Sequence, residues 1–162
     1  MNYSKQLEFA IDMAKEAGNI LLKHFGKITS IDRKSSDIDL VTLADTKSEE
    51  FILENIYSIY PDHHIIAEES NLTEGRSDYR WIIDPLDGTT NFVHNLPIFA
   101  VSMGLQYNKE TILGVVYNPA ADKCFYAEKN GSAFLNGKSI HITSTNTLNR
   151  SLLVTGFPYI HD

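Results

Sequence analysis

The stretch Trp81-Ile82-Ile83-Asp84-Pro85-Leu86-Asp87-Gly88-Thr89-Thr90-Asn91-Phe92 leaves a folding chain few options. Trp81-Ile82-Ile83 predicts a buried strand, and two acids, a proline and a glycine follow at once. Pro85 has no N–H for a ladder bond and fixes its own backbone, so the strand is expected to end at Asp84 with a turn. Gly88 admits a backbone dihedral, or a close ligand approach, that a Cβ would block. If Thr89-Thr90-Asn91 opens a short helix, its unpaired N–H groups and positive dipole end face the space beside Asp84 and Asp87. Carboxylates on one side and amide donors on the other suit a phosphate bridged by a metal ion. Asp-Pro or Asp-Gly alone is ordinarily a turn dipeptide. Both together, straight after a buried strand, are more than a turn requires.

The flanking sequence supplies a frame for this segment. Leu7, Ala10, Ile11, Ala14, Leu21, Leu22 and Phe25 recur at helical spacing, which predicts an amphipathic helix from about residue 4 to Phe25, stopped by Gly26. A second helix is expected from about Asp45 to Tyr60, with Thr42 as cap, Ile52, Ile56 and Ile59 facing inward, and Pro61-Asp62 closing it. Beyond Pro61, short apolar runs alternate with turn residues, predicting strands at Ile65–Ala67, Trp81–Asp84, Phe99–Tyr107, Ile112–Tyr117, Cys124–Glu128 and Leu152–Thr155. Asn108-Lys109, Asn118-Pro119 and Asn130-Gly131 mark tight turns, so 99–142 reads as an antiparallel meander. The expected class is α+β: two N-terminal helices packed on a largely antiparallel sheet.

Composition removes several functions. The 162 residues carry a formal charge of −7, which argues against nucleic acid as a partner, since such binding rests on Lys and Arg neutralising phosphates. Cys124 is the sole cysteine, so there is no internal disulfide and no thiolate metal cage, and a cytoplasmic setting fits. No uncharged apolar run approaches the roughly 18 residues of a membrane span. Ser132-Ala-Phe-Leu-Asn-Gly137-Lys138-Ser139 misses a phosphate-binding P-loop by one position, because the glycine is Gly131, and a hairpin accounts for it better. His63-His64 lacks the spacing of a metal pair and reads as surface loop. No Gly-x-Ser-x-Gly elbow is present, and Cys124 sits mid-strand, so nucleophilic Ser or Cys catalysis has no support.

The string Asp84-Pro85-Leu86-Asp87-Gly88-Thr89-Thr90-Asn91-Phe92 resembles the inositol monophosphatase family. Ile65-Ile66-Ala67-Glu68-Glu69-Ser70 is similar to that family's strand-end Gly-Glu-Glu motif, with Ala67 in place of Gly. Lys34 to Asp45, containing Asp39-Leu40-Val41-Thr42-Leu43-Ala44-Asp45, matches its Asp-x-Val-Thr-x-x-Asp element. Taken alone, Glu68-Glu69 is a solvated acidic pair and Asp45 a helix-start charge. The resemblance gathers both segments with Asp84 and Asp87 into one cluster. Two like charges about 4 Å apart at an effective dielectric near 20 repel by roughly 4 kcal/mol, so such a cluster needs cations. All-oxygen ligands favour Mg²⁺, with Mn²⁺ as a substitute.

The resemblance implies that Glu68, Asp84 and the Leu86 carbonyl hold a first metal ion, that Asp84 and Asp87 contribute to a second, and that metal-activated water attacks the phosphate of a small phosphorylated polyol. It further implies that Asp45 and Thr89 orient the water, that Glu69 and Lys34 assist from the periphery, and that Asp87 and the segment Gly88-Thr89-Thr90 hold the phosphate. Inositol 1-phosphate is the leading substrate; fructose 1,6-bisphosphate, nucleotide phosphates and histidinol phosphate are alternatives, and a homodimer is the common family assembly. Members of the family continue past the position of Asp162 and carry a Trp-Asp-x-Ala-Ala-Gly-like motif that completes the second metal site. Residues 1–162 are therefore expected to be one N-terminal metal-binding domain that lacks the C-terminal α/β part beyond about 150 and turns over poorly. A non-catalytic metal- or phosphate-binding or protein-interaction module is the competing function.

Overall fold

A computed structural model of the chain describes residues 4–27, 32–33, 40–41, 43–68, 70 and 73–155. Helix α1 (Lys5–His24) begins at Ser4, whose hydroxyl accepts the Leu7 N–H at 3.1 Å, and its last turn carries Lys23 and His24 against the helix dipole. Gly26, at φ +74°, ends it. The buried stripe is Leu7, Ala10, Ala14, Ala17, Gly18 and Leu21. It is narrower than the expected one, since Leu22 is 40% exposed. Small residues dominate the stripe because the helix lies tight on the sheet: a Cβ on Gly18 would come within 2.6 Å of the Tyr117 ring.

Helix α2 (Leu43–Ile59) turns Ala44, Asp45, Ser48, Glu49, Ile52 and Ile56 inward. Ile59, expected inward, is 54% exposed, because the buried face has rotated past it in the last turn. Thr42 lies outside the described residues.

Strands β1 (Asp32–Arg33) and β2 (Leu40–Val41) form a small antiparallel pair. The main sheet has seven strands in chain order, β3 (His64–Ala67), β4 (Tyr79–Asp87), β5 (Ala100–Tyr107), β6 (Glu110–Asn118), β7 (Lys123–Glu128), β8 (Ala133–Leu135) and β9 (Lys138–Ile140). All neighbours are antiparallel except β3 and β4, which run parallel with Ala67 beside Ile83. The meander expected over 99–142 is thus present, and its turns use left-handed residues: Asn108 and Lys109 at φ 51° and 66°, Asn136 and Gly137 at 47° and 82°. Alternation along β5 and β6 buries Val101, Met103, Leu105, Leu113, Val115 and Tyr117 under the helices. The opposite face of the sheet presents Ile66, Ile82, Val116 and Phe125, all substantially exposed.

Three expectations are corrected. The chain does not leave the sheet at Asp84: β4 runs on through Pro85 to Asp87. Asp84 faces Ser102 and Asp87 faces Ala100, so two residues of β4 oppose one of β5 in a bulge. Pro85 sits in that bulge, where its missing N–H costs no ladder bond. Residues 152–155 form no strand; Leu152 and Val154 stand fully exposed, and no strand among the described residues pairs with them. His63 is not surface loop. Its ring lies between Tyr60 and Tyr79, with centroids 4.8 and 4.7 Å away, and its Nδ1 accepts the Trp81 indole N–H at 3.1 Å. Burial holds the His63 imidazole below its ordinary pKa, with Asp62 opposing, which keeps that acceptor unprotonated.

Gly18 gives the fold a test. Alanine is the better helix former by roughly 1 kcal/mol, yet its methyl would meet a ring fixed at its far end, where the Tyr117 hydroxyl donates to Asp122 at 3.1 Å. Gly18→Ala is expected to destabilise the protein by about 1–3 kcal/mol in a denaturant titration. Stabilisation would show that the helix can lift without loss.

Candidate metal and phosphate site

The bulge decides where the acids go. In an unbroken strand, residues three apart face opposite sides; one inserted residue returns Asp87 to the side of Asp84, as their partners Ser102 and Ala100, two apart on β5, require. The parallel β3–β4 pairing adds the third acid. Ala67 lies beside Ile83, so Glu68 leaves β3 next to Asp84. Pro85 and Leu86 both turn inward, leaving Asp84 half-buried between exposed Glu68 and Asp87.

The electrostatics record this convergence. The Asp84 carboxyl is pushed up to about 7, first by burial, then by the charges of Glu68 and Asp87 and a hydrogen bond with Glu68. The Leu86 N–H, donating to Asp84 Oδ1 at 3.1 Å, pulls the other way. Near neutrality the Asp84 carboxyl is therefore protonated part of the time.

Downstream, Gly88 takes φ +91°, and a Cβ there would lie 3.0 Å from the Ile98 carbonyl, so the expected special dihedral is present. It opens the short helix α3 (Thr89–Val93), whose first-turn N–H groups have no partner within the helix. The Thr89 hydroxyl donates to the Leu86 carbonyl at 3.0 Å, which leaves that oxygen a second lone pair. Phe92 is fully buried against Phe25 and Phe99, with centroids 5.3 and 4.8 Å away, and the Asn91 side chain donates to the Ile98 carbonyl at 2.8 Å. Thr90 lies half-buried on α3.

Asp45 is 1% exposed on α2, one turn before Ser48, whose hydroxyl donates to the Pro85 carbonyl at 3.1 Å and so ties that helix to the bulge. Glu69 and Lys34 lie outside the described residues. Glu49, 4% exposed, was missed by sequence reasoning. Its signal was available: Asp45, Glu49, Ile52 and Ile56 fall on one helical stripe, and an acid on an otherwise buried stripe needs a reason.

A divalent cation fits these donors. The groups are carboxylate and carbonyl oxygens, which suit a hard ion, and the raised Asp84 carboxyl is the strain that a cation would relieve. Among the described residues, no group of three acids, histidines or cysteines is arranged to hold a metal ion by itself.

Comparison with known proteins adds context. The model of the inositol monophosphatase family matches residues 2–162. A fructose-1,6-bisphosphatase/inositol-1-monophosphatase of Aquifex aeolicus is 42% identical over 159 residues, covering 97% of this chain and 60% of that protein. A protein of Haemophilus influenzae named Nus factor SuhB is 42% identical over 155 residues, covering 94% of this chain and 58% of that one. The solved inositol monophosphatase of Anabaena (Nostoc) superposes with a TM-score of 0.84 at 38% identity, over 98% of this chain and 57% of that chain. The chain thus spans about three fifths of the length of the curated relatives it matches.

The raised Asp84 carboxyl has a sign that can be checked. Its folded pKa of about 7 lies above the ordinary 3.8, so its contribution to stability is complete below 3.8 and is lost as pH rises through 7. Without divalent cations, Asp84→Asn is expected to raise the melting temperature at pH 8 and to change it little at pH 4. An equal effect at both pH values would mean that the three acids do not interact.

Proposed function

The chain belongs to the inositol monophosphatase family, and we propose that it serves Mg²⁺-dependent hydrolysis of a small phosphate monoester, with inositol 1-phosphate the first candidate. One observation carries the reading: strand register brings Glu68, Asp84 and Asp87 together beside a glycine-opened helical turn, where burial and then the charges of Glu68 and Asp87 push the Asp84 carboxyl up.

Glu68, Asp84 and the Leu86 carbonyl would hold a first ion, and Asp84 with Asp87 would contribute to a second. A bound divalent cation supplies acidity to water and stabilises charge on the departing oxygen. Asp45, buried beside the bulge, accepts the proton from the attacking water, and the Thr89 hydroxyl, hydrogen-bonded to the Leu86 carbonyl, orients that water. The backbone amides of Gly88, Thr89 and Thr90 receive phosphate oxygens, so the substrate is aligned before chemistry. Glu69 and Lys34 adjust charge around the reacting groups.

A second reading has its own observation. A relative as similar as the bisphosphatase carries the name of a Nus factor, so a metal- or phosphate-binding interaction module is the alternative.

Release of phosphate from inositol, sugar, nucleotide and histidinol monophosphates, measured with and without Mg²⁺, tests the first reading. Asp45→Asn is expected to lower kcat about 10²–10⁴-fold. Asp84→Asn and Asp87→Asn are expected to abolish Mg²⁺-dependent release. Mg²⁺ is also expected to raise the melting temperature more at pH 8 than at pH 5.5, and to lose that effect in Asp84→Asn. Phosphate release that ignores Mg²⁺, or an Asp84→Asn protein with undiminished turnover, would sink the proposal. Mg²⁺ binding without turnover in a chain extended to the relatives' length would favour the interaction module.

A further inference from the structure

Arg80 lies on the same face of β4 as Asp84, four residues and about 13 Å away at the rise of an extended strand. At the Arg80 end, a cavity of about 190 Å³ is lined by His64, Ser77, Asp78, Arg80, Asn108 and Lys109. Sheet register assembles it. His64 stands beside Arg80 in the parallel pair, Ser77 and Asp78 lead into β4, and Asn108-Lys109 is the turn between β5 and β6. The Asn108 N–H donates to the Asp78 carbonyl at 3.1 Å and fixes that turn against the start of β4.

The polar inventory is that of a site for an anion. Arg80 Nε is buried and has no hydrogen-bond partner. Neither Arg80 nor Lys109 forms an ion pair among the described residues, although the chain has 21 acids for 14 Lys and Arg. A guanidinium cannot shed its charge, and a buried donor left unpaired is costly, so Nε calls for an acceptor that the described residues do not supply. Asp78 lines the same cavity without pairing with either cation. His64 Nδ1 accepts the Gly75 N–H at 3.0 Å, which puts the proton of the neutral ring on Nε2 as a further donor. Ser77 Oγ accepts the Tyr79 N–H at 3.3 Å and keeps its own O–H to give. Lys109 occupies φ 66°, a position where such turns favour glycine, so an ammonium is held there against backbone preference.

We infer that this cavity binds a phosphate group, free or carried on a small metabolite, between Arg80 and Lys109, with His64 and Ser77 as supplementary donors. The site is independent of the acidic cluster and of divalent cations. Arg80 supplies planar, bidentate donors suited to phosphate oxygens, and Lys109 a point charge.

The test is a titration with inorganic phosphate at constant ionic strength in the presence of EDTA, read from the His64 imidazole resonances. A saturable shift is expected, and Arg80→Gln is expected to weaken it at least about tenfold. Two substitutions at exposed positions guard against a folding artefact. Asp78→Asn should tighten binding by removing a like charge. Lys109→Gly should raise the melting temperature, because glycine adopts φ 66° freely, and yet weaken phosphate binding; a purely structural Lys109 would move the first reading alone. Glycerol 3-phosphate in place of phosphate identifies the source: tighter binding assigns the site to a phosphorylated metabolite, and equal or weaker binding to the free anion. The inference is overturned if the shift does not saturate, if chloride reproduces it, if Arg80→Gln binds as the parent does, or if Asp84→Asn is the change that removes binding. Since the titration excludes divalent cations, its failure leaves the phosphatase reading untouched.

Discussion

A proline placed inside a strand, and the bulge that accommodates it, set the geometry on which the acidic end of the sheet depends. Pro85 interrupts the β4–β5 ladder, the bulge absorbs one extra residue, and Asp84 and Asp87 emerge on one side. The parallel neighbour β3 then delivers Glu68 to the same place. Three carboxylates at close quarters oppose folding, and burial together with the charges of Glu68 and Asp87 pushes the Asp84 carboxyl up to about 7. Such strain is concentrated where the chain is meant to bind something.

What holds the acids in register is apolar. Helix α2 presents a face that is polar at its start, with Asp45, Ser48 and Glu49, and aliphatic further on, with Ile52 and Ile56. The aliphatic half docks the helix, and the bond from Ser48 to the Pro85 carbonyl couples it to the bulge. On the other side, Phe25, Phe92 and Phe99 clamp α3, so the amides opening that helix are anchored by three aromatic rings rather than by the loop itself. Rigid elements positioning short loops are what a metal- and phosphate-handling site requires.

Strand β4 also carries opposite charge at its two ends. Arg80, Ile82 and Asp84 share one face, with a cationic cavity at one end, acids at the other and an exposed isoleucine between. An anion without a metal suits the first end, and a metal-bridged phosphate the second. The motifs that carry the family resemblance bring Asp45, Glu68 and Asp84 to Phe92 to the acidic end, whereas Arg80 lies between the second and third of these motifs and belongs to none of them.

Much of this was legible in the amino-acid order. Periodicity located both long helices and the core strands, the Asn-containing turns marked the meander, and the Asp84–Phe92 string identified the family. These are signals carried by residues close together in the chain. Tertiary structure alone decided the rest. It turned the expected stop at Pro85 into a bulge, because a neighbouring strand was there to be paired. It stacked His63 between two tyrosines that approach it from different segments, exposed Ile59, buried Glu49, and kept residues 152–155 out of strand conformation. In each case the outcome hinged on what stood opposite. Local order states which conformation a segment prefers; only long-range register states which side chains meet, and charge, burial and pKa follow from that meeting.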